Sequence, residues 1–277
     1  MRLYSVSPDL RAGGHATVGA TFTDAARGAD RAGLDGMLID TGGTAMEPWS
    51  VAQYLVERTE RLTPLVTVEP ADMHPYMTAR MVSGIAAMHG RRVDFTLVAD
   101  STLGHDENCD RLVAYGRIMK ALLRADDPLT FDSRHYRLAD AVIYPSLPPR
   151  LVPRIFVAGQ EPAAATVARE LGVGQLIDLP GEADLTVRPP RPRSAVRAGI
   201  IARDTSEQAW RVARERAGRP AHGLVGSHAE VVAALTPYQQ AGVAAVVMTN
   251  AVTEDDLGHA MTVMRAVREN ARGRVDA

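Results

Sequence analysis

The sequence has one cysteine, few aromatic residues and no long apolar run, and each shortage excludes a class of protein. Cys109 is the only cysteine among 277 residues, so no intrachain disulfide can form, and a reducing, cytoplasmic location is expected. No apolar segment approaches the roughly 20 residues of a membrane-spanning helix, and the amino-terminal segment lacks the apolar stretch of a signal peptide. Aromatic residues make up only 5% of the chain, so aliphatic side chains, alanine and methionine must build the core.

An excess of charge of either sign is also absent. The 31 basic and 33 acidic residues leave a formal net charge of −2, which gives no basic surface for nucleic acid or for an anionic membrane. The histidines lack the spacing of a metal site, so a solvated or structural role and no metal are expected for His74, His89, His135, His222, His228 and His259. We therefore expect neither nucleic acid nor a membrane as a partner.

Short apolar segments recur along the chain and are predicted to be strands. Several of them, such as PLVTV and RIFVA, are nearly continuous apolar runs, which favours parallel strands covered on both faces. The eight segments are Leu3–Ser7, Gly36–Asp40, Leu62–Val68, Val93–Ala99, Arg154–Gly159, Gly174–Asp178, Val196–Ala202 and Ala244–Thr249.

Helical patterns fill most of the intervals between these strands. Predicted helices are Thr23–Ala32, Pro48–Val56, Pro75–Met88, Glu107–Leu123, Pro162–Leu171, Ser206–Ala217, His228–Gln240 (interrupted at Pro237) and Glu254–Asn270. Phe131–Tyr144 reads as an inserted two-stranded ribbon, and the prolines of Gly181–Ser194 forbid a regular helix there. Eight alternating strands and helices predict a (β/α)8 TIM barrel with a missing or vestigial sixth helix, as a single domain over residues 1–277.

Several segments, in the right order, resemble the bacterial luciferase-like, flavin-dependent monooxygenases, and most of all the alkanesulfonate monooxygenase branch. The stretch Thr41–Ala99 is similar to the family's second-to-fourth strand region, and the family's characteristic positions are filled by Trp49, Arg61, Leu62, Pro75, Ala79, Arg80, Gly90 and Arg91. The FDSRHYRL ribbon, Ala202–Trp210 and Leu224–Met248 resemble later family segments. The individual motifs are loose, and their order carries the resemblance.

The resemblance implies an oxidoreductase that uses reduced FMN supplied by a separate flavin reductase, with O2 as co-substrate. It also implies a homodimer that packs its second and third helices, here Pro48–Leu55 and Tyr76–Met88. The catalytic positions it suggests are His15, His105 and Arg197, and Glu69 is added to them as a carboxylate at a strand end. The cofactor-binding positions it suggests are Asp40, Thr41, Thr67, Thr96, Cys109, Gly159 and Gln160.

The chain departs from the family at several of these positions. Thr96 stands where the family has an asparagine that holds the flavin ring, and Asn108 and Cys109 replace an Arg-Tyr pair. The family's Gly-Gly-Ser-Ser-like phosphate turn is Gly159-Gln160-Glu161-Pro162 here, which places a carboxylate beside the expected phosphate and removes one N–H donor. Glu161 would alternatively satisfy the helix end itself.

Three functions therefore stay open from the sequence. The first is a monooxygenase of a small organic substrate with FMN. The second is a homologue that has lost flavin binding and serves as a non-catalytic partner subunit. The third is a barrel enzyme of different chemistry that uses the carboxylates at its strand ends, where a barrel places acids and bases: Asp40, Glu69, Asp72 and Asp100.

Overall fold

A computed structural model describes residues 1–9, 15–40, 46–100, 103–124, 127–179, 190–216, 223–250 and 253–272, without the side chains of residues 15, 16 and 272. The strands are β1 Arg2–Val6, β2 Gly36–Ile39, β3 Thr63–Val68, β4 Asp94–Leu97, β5 Leu129–Asp132, β6 Arg137–Ala141, β7 Ile155–Ala158, β8 Gly174–Asp178, β9 Ala195–Arg203, β10 Gly223–Ser227 and β11 Ala245–Met248. The helices are α1 His15–Ala32, α2 Pro48–Arg58, α3 Pro75–His89, α4 His105–Leu122, α5 Pro162–Leu171, α6 Ser206–Glu215, α7 His228–Gln240 and α8 Glu254–Arg272, with a 3₁₀ turn at Pro149–Leu151.

The chain forms two compact units. Unit 1 comprises Met1–Leu38 and Leu176–Ala277, and unit 2 comprises Ile39–Gln175. The prediction of a single domain over residues 1–277 stays a prediction.

Unit 1 is a parallel sheet covered by helices. Strand β1 pairs with β2 and β11, and β11 pairs with the first half of β9. The first half of β9 also pairs with β8, whereas its second half pairs with β10. The central strands are buried, as the apolar runs predict, and Leu3, Val196 and Val246 have no exposed surface.

Unit 2 contains three parallel strands and an antiparallel ribbon. Strand β4 pairs with β3 on one side and β7 on the other, and β5 pairs with β6. Leu65, Phe95 and Val157 are fully buried in these strands. The carboxyl ends of β3 and β4 lie side by side, so the polar residues that follow them are brought together.

Local sequence signals explain where the helices of unit 2 begin and end. Proline occupies the first turn of α2, α3 and α5, where its missing N–H costs no intrahelical bond. The helices α3 and α5 end at Gly90 and Gly172, whose φ angles of 63° and 64° are left-handed.

The Gly-Arg pair before β4, part of the family resemblance, has a structural role. After Gly90 ends α3, the Arg91 guanidinium donates to the backbone carbonyls of Val56 (2.9 Å), Thr59 (2.5 Å) and Leu62. These bonds tie the end of α2 to the entry of β3. Arg91 is therefore explained by the fold.

All eight predicted strands and the ribbon are confirmed, and three details of the prediction are wrong. Helix α1 begins at His15, eight residues earlier than predicted, with Phe22 buried against the core. Helix α7 runs through Pro237 without interruption, because a proline near a helix end removes only one backbone bond. Strand β10 was not predicted, since it is short and begins with glycine.

The prediction of a missing sixth helix concerns the connection between β8 and β9. Residues 180–189 lie outside the described residues, so most of the Gly181–Ser194 segment cannot be compared with the prediction. The described part, residues 190–194, forms a turn in which the Ser194 N–H donates to the Arg191 carbonyl. Within the described parts of the chain, no helix combines the length and apolarity that a membrane span requires.

Candidate functional site

Polar residues follow β3 and β4 in unit 2 and gather around one arginine. The Arg111 guanidinium, on the second turn of α4, donates from Nε to the Tyr136 hydroxyl (3.2 Å) and from Nη2 to the Pro70 carbonyl (3.2 Å). The Tyr136 hydroxyl donates to the same carbonyl (3.3 Å), and Arg111 Nη1 lies 3.8 Å from Asp100 Oδ2. The segment after β3, the start of α4 and the inserted ribbon are thus held together by Arg111.

An aromatic layer supports this arginine. The Tyr136 ring packs edge-on against Tyr115, with 5.8 Å between centroids, and against His74, with 5.5 Å. Tyr115 is fully buried, and its hydroxyl pairs with Thr78 Oγ1 at 2.5 Å. Burial raises the pKa of both Tyr115 and Tyr136, so these phenols stay protonated and act as hydrogen-bonding groups.

Glu69, the residue that follows β3, has an environment that favours its protonated form. Partial burial raises the pKa of its carboxyl group, and repulsion from Asp72 and Asp100 raises it further, while Arg111 lowers it. The net shift is upward from an ordinary value of 4.5. A carboxyl group with a raised pKa is better suited than an ordinary glutamate to act as a general acid.

Two threonines lie before Glu69 and Asp100 on the paired strands. Thr67 of β3 and Thr96 of β4 are register partners, so their side chains project from the same face of the sheet. Thr96 is 1% exposed, and its hydroxyl has no hydrogen-bond partner in the described part of the chain. Buried hydroxyl groups are usually bonded, so the missing partner of Thr96 is an unusual feature of this strand end.

The start of α5, where the family resemblance places a phosphate, is crowded by a carboxylate. Gly159 has a φ angle of 121°, which only glycine adopts readily, and a Cβ atom there would lie 2.5 Å from Glu161 Oε2. Glu161 is the N-cap residue of α5, yet its side chain accepts no bond from the helix. The alternative that Glu161 satisfies the helix end itself is therefore wrong.

Asn108 and Cys109, which replace the family's Arg-Tyr pair, have different surroundings. The Asn108 side chain fixes the backbone of the loop after β4. It accepts a hydrogen bond from the Asp100 N–H (2.9 Å) and donates one to the Asp100 carbonyl (2.7 Å). Cys109 is half-buried, and burial followed by repulsion from Asp106, Asp110 and Glu170 raises the pKa of its thiol. Cys109 is therefore a thiol rather than a reactive thiolate.

The remaining predicted site residues are distributed over both units. In unit 1, Arg197 of β9 makes a bidentate ion pair with Asp178 of β8. Its Nε donates to Asp178 Oδ1 (2.7 Å) and its Nη2 to Oδ2 (2.9 Å). His15 is the first residue of α1, and its side chain lies outside the described residues. In unit 2, His105 and Asp40 are exposed at the start of α4 and the end of β2, Gln160 is exposed beside Gly159, and Thr41 lies outside the described residues.

The sequence interpretation missed Arg111 and Tyr136, which organise the group around Glu69. Arg111 lies three positions beyond Asn108, where the family's arginine was placed, so a shifted match within the same helix would have found it. Tyr136 lies in the FDSRHYRL insert, for which the sequence predicts only a two-stranded ribbon. The signal for both was an arginine among acidic residues and a tyrosine inside a recognised insert.

Comparison with known proteins gives a family match along nearly the whole chain. The family model described as luciferase-like monooxygenase matches residues 1–273. A relative from Niallia circulans, the 4-(gamma-L-glutamylamino)butanoyl acyl-carrier protein monooxygenase BtrO, is 27% identical over 204 residues. That match covers 68% of this chain and 60% of the relative, so less than two thirds of the relative's length is spanned.

Solved structures with the same fold cover almost all of the chain. The EDTA monooxygenase of Chelativorans sp. BNC1 superposes with a TM-score of 0.75 at 14% identity, over 99% of this chain and 94% of its own. The oxygenating constituent of 3,6-diketocamphane monooxygenase from a Pseudomonas putida plasmid, solved in complex with FMN, gives 0.67 at 15% identity, over 96% and 97%.

These matches confirm the (β/α)8 barrel and the family that the sequence resemblance indicated. The narrower assignment to the alkanesulfonate branch stays a prediction. The chain belongs to the luciferase-like monooxygenase family.

Proposed function

We propose that the chain is a flavin-dependent monooxygenase that oxidises a small organic substrate with reduced FMN and O2. The observation that carries the proposal is the buried hydroxyl of Thr96, which has no hydrogen-bond partner in the described part of the chain. Thr96 is the register partner of Thr67, and Thr67 lies two residues before Glu69. A polar group in this position suits a ligand ring at the carboxyl ends of the strands. Experimental support would come from an FMN titration of the purified protein.

The residues of unit 2 fit a flavin in two places. Thr67 and Thr96 would hold the ring, and the turn at Gly159 and Gln160 would hold the phosphate with the first N–H groups of α5. Asp40, Thr41 and Cys109 are the further cofactor-binding residues proposed from the family resemblance. When bound, reduced FMN supplies the electrons for oxygen activation, and a separate flavin reductase would supply the reduced cofactor.

Glu69 would move the proton that the reaction requires. Its raised pKa allows the carboxyl group to be protonated at a higher pH than an ordinary glutamate. Arg111 and Tyr136 hold the segment that follows β3, so they position Glu69 rather than react themselves. His15, His105 and Arg197 are proposed as substrate-facing residues, with the Arg197 guanidinium oriented by Asp178.

The substrate is proposed to be a small organic molecule. The named relatives act on an acyl group carried by a protein, on EDTA and on a diketocamphane. These substrates differ so widely that they define only a chemical class, an organic molecule accessible to oxygenation. A panel containing alkanesulfonates and acyl thioesters, assayed with reduced FMN and O2, would test the class.

Replacing Glu161 with serine is expected to tighten FMN binding about tenfold. A phosphate held at the start of α5 would lie beside the Glu161 carboxylate, whose Oε2 atom would be 2.5 Å from a Cβ atom at Gly159. Even when solvent reduces the repulsion between two charges to about 1.4 kcal/mol, the dissociation constant changes tenfold. Fluorescence titration with FMN measures the change.

Glu170→Ser is the matched control for this variant, because Glu170 lies at the other end of the same helix and pairs with Arg117 on the surface. We expect its FMN affinity to equal that of the wild type. Equal affinity in Glu161→Ser and the wild type, with both binding FMN tightly, would show that Glu161 does not oppose the phosphate.

A homodimer is also proposed. Three apolar methionines are exposed: Met46, two residues before α2, is 40% exposed, and Met77 and Met88 of α3 are 43% and 78% exposed. Burial of this surface against a second copy would remove it from water. Sedimentation is expected to give twice the 29.8 kDa chain mass, and Met88→Glu is expected to shift the species toward the monomer. A wild type that sediments as a monomer would contradict the proposal.

A second candidate function is a family member that has lost flavin binding. The carboxylate of Glu161 over Gly159 and the structural use of Asn108 favour it, because both alter positions that the resemblance assigns to the cofactor. Absence of FMN binding in both the wild type and Glu161→Ser would support this candidate over the monooxygenase.

A further inference from the structure

Two histidines and two aspartates of unit 1 form a continuous line of polar atoms. Asp204 Oδ1 lies 3.6 Å from His228 Nδ1, and His228 Nε2 lies 2.8 Å from His259 Nδ1. His259 Nε2 in turn lies 3.7 Å from Asp255 Oδ1. We refer to these four residues as the His228 cluster, and none of them belongs to the group around Glu69.

Three elements of unit 1 bring the cluster together and fix its backbone. Asp204 directly follows β9, His228 is the first residue of α7, and His259 lies on the second turn of α8. A capping box between Ser227 and Glu230 fixes the start of α7. The histidine side chains are 23% and 22% exposed, whereas those of Asp204 and Asp255 are 78% and 71% exposed.

The contact between the two imidazoles needs one proton or one cation between the ring nitrogens. The His228 Nε2 and His259 Nδ1 atoms are 2.8 Å apart, so one of them carries a proton and donates it to the lone pair of the other. Burial lowers the pKa of His228, as do His259 and Arg203, while Asp204 raises it. These effects favour the neutral form of His228, and neutral imidazole is the form that binds a metal ion.

A metal ion can take the place of the shared proton after a small movement. One ligand atom from each of Asp204, His228 and His259 lies within 4.8 Å of the others. Zinc–nitrogen bonds of about 2.0–2.1 Å with tetrahedral angles separate two nitrogens by roughly 3.4 Å. The rings need to part by about half an ångström, and the exposed Asp204 carboxylate is free to rotate toward the ion.

We propose that Asp204, His228 and His259 bind one divalent transition-metal ion of the zinc type, with Asp255 orienting His259 from outside. The ion would join the end of β9 to the starts of α7 and α8. The ligands are separated by 24 and 31 residues, so they form no compact sequence motif, and the expectation of solvated or structural histidines could not anticipate the site. The site does not depend on the flavin proposal.

Titration of tag-free, metal-stripped protein with Co²⁺ and with Zn²⁺ tests the proposal. We expect one ion per chain, a visible absorption band for bound Co²⁺ and a higher melting temperature with Zn²⁺. His228→Gln and His259→Gln are expected to lose the band. Asp204→Asn would remove a charged ligand and Asp255→Asn the carboxylate that orients His259, so both are expected to weaken binding at least about tenfold.

His89→Gln is the control, because His89 lies at the end of α3 in unit 2 and should leave the stoichiometry and affinity unchanged. Affinity should also fall at acidic pH, since protons then compete with the ion for the imidazole nitrogens. No saturable binding to the wild type, or unchanged binding in His259→Gln, would overturn the proposal. If the histidine variants do not fold, unchanged binding in the surface variant Asp204→Asn would overturn it instead.

Discussion

Replacing Glu69 with glutamine is expected to lower kcat for substrate oxygenation by about 10²–10⁴-fold, the range typical of a lost general acid or base. Glutamine keeps the size of the side chain and its contacts but cannot exchange a proton. Glu69 directly follows β3, two residues beyond Thr67, the register partner of Thr96, and it precedes Pro70, whose carbonyl accepts from Arg111. Steady-state rates with reduced FMN, O2 and the substrate identified by the panel measure the effect.

The pH profile separates a proton-transfer role from a structural one. In the wild type, one limb of the kcat profile should follow the raised pKa of Glu69, and that limb should disappear in Glu69→Gln. Asp72→Asn is the matched variant. It removes a repulsion that raises the pKa of Glu69, so the same limb should move to lower pH without a large loss of rate. A profile unchanged by both substitutions would contradict the assigned role.

Replacing Asp256 with asparagine is expected to destabilise the protein by about 3–5 kcal/mol, because it leaves two buried or half-buried arginines without their carboxylate. Asp256 is 2% exposed at the start of α8. It accepts from Arg203 Nη2 (2.7 Å) and Thr253 Oγ1 (2.8 Å) and forms an ion pair with Arg216 Nη1 (2.9 Å). Chemical unfolding of the metal-free protein measures the change in the free energy of unfolding.

Asp255→Asn is the matched control, since Asp255 lies beside Asp256 but is 71% exposed and contacts Arg203 only at 3.5 Å. We expect it to cost about 0–1 kcal/mol. Burial raises the pKa of Asp256, but the bonds from Arg203, Arg216 and Thr253 outweigh it, and the net pKa is below the ordinary 3.8. The stabilisation is therefore present above about pH 4 and is lost as the pH falls through the lower, folded-state pKa. Equal losses in both variants would contradict this account.

The sequence was sufficient for the fold because its signals are local and repeated. Each core strand is a short apolar run, and α5 is bounded by Pro162 and Gly172 as the pattern indicated. The errors arose where a local rule competed with packing. Pro237 is accommodated within α7, and Phe22 draws the start of α1 into the core.

The sequence was less informative about the sites because they depend on contacts between distant residues. Glu69 was identified by its position at a strand end, but its raised pKa depends on Asp72, Asp100 and burial. Nothing in the sequence indicates that Tyr136, 25 residues from Arg111, bonds to its guanidinium. The same limitation applies to His228 and His259, whose contact spans 31 residues.

The most direct test of the central claim is an FMN titration of the wild-type protein, followed by absorbance and flavin fluorescence. The account predicts saturable binding at one site per chain. It also predicts that Thr96→Val will weaken binding, because the only buried hydroxyl assigned to the ring is removed while the side-chain shape is kept. Absence of saturable binding to the wild type, or full affinity in Thr96→Val, would contradict the claim that the carboxyl ends of β3 and β4 hold a flavin.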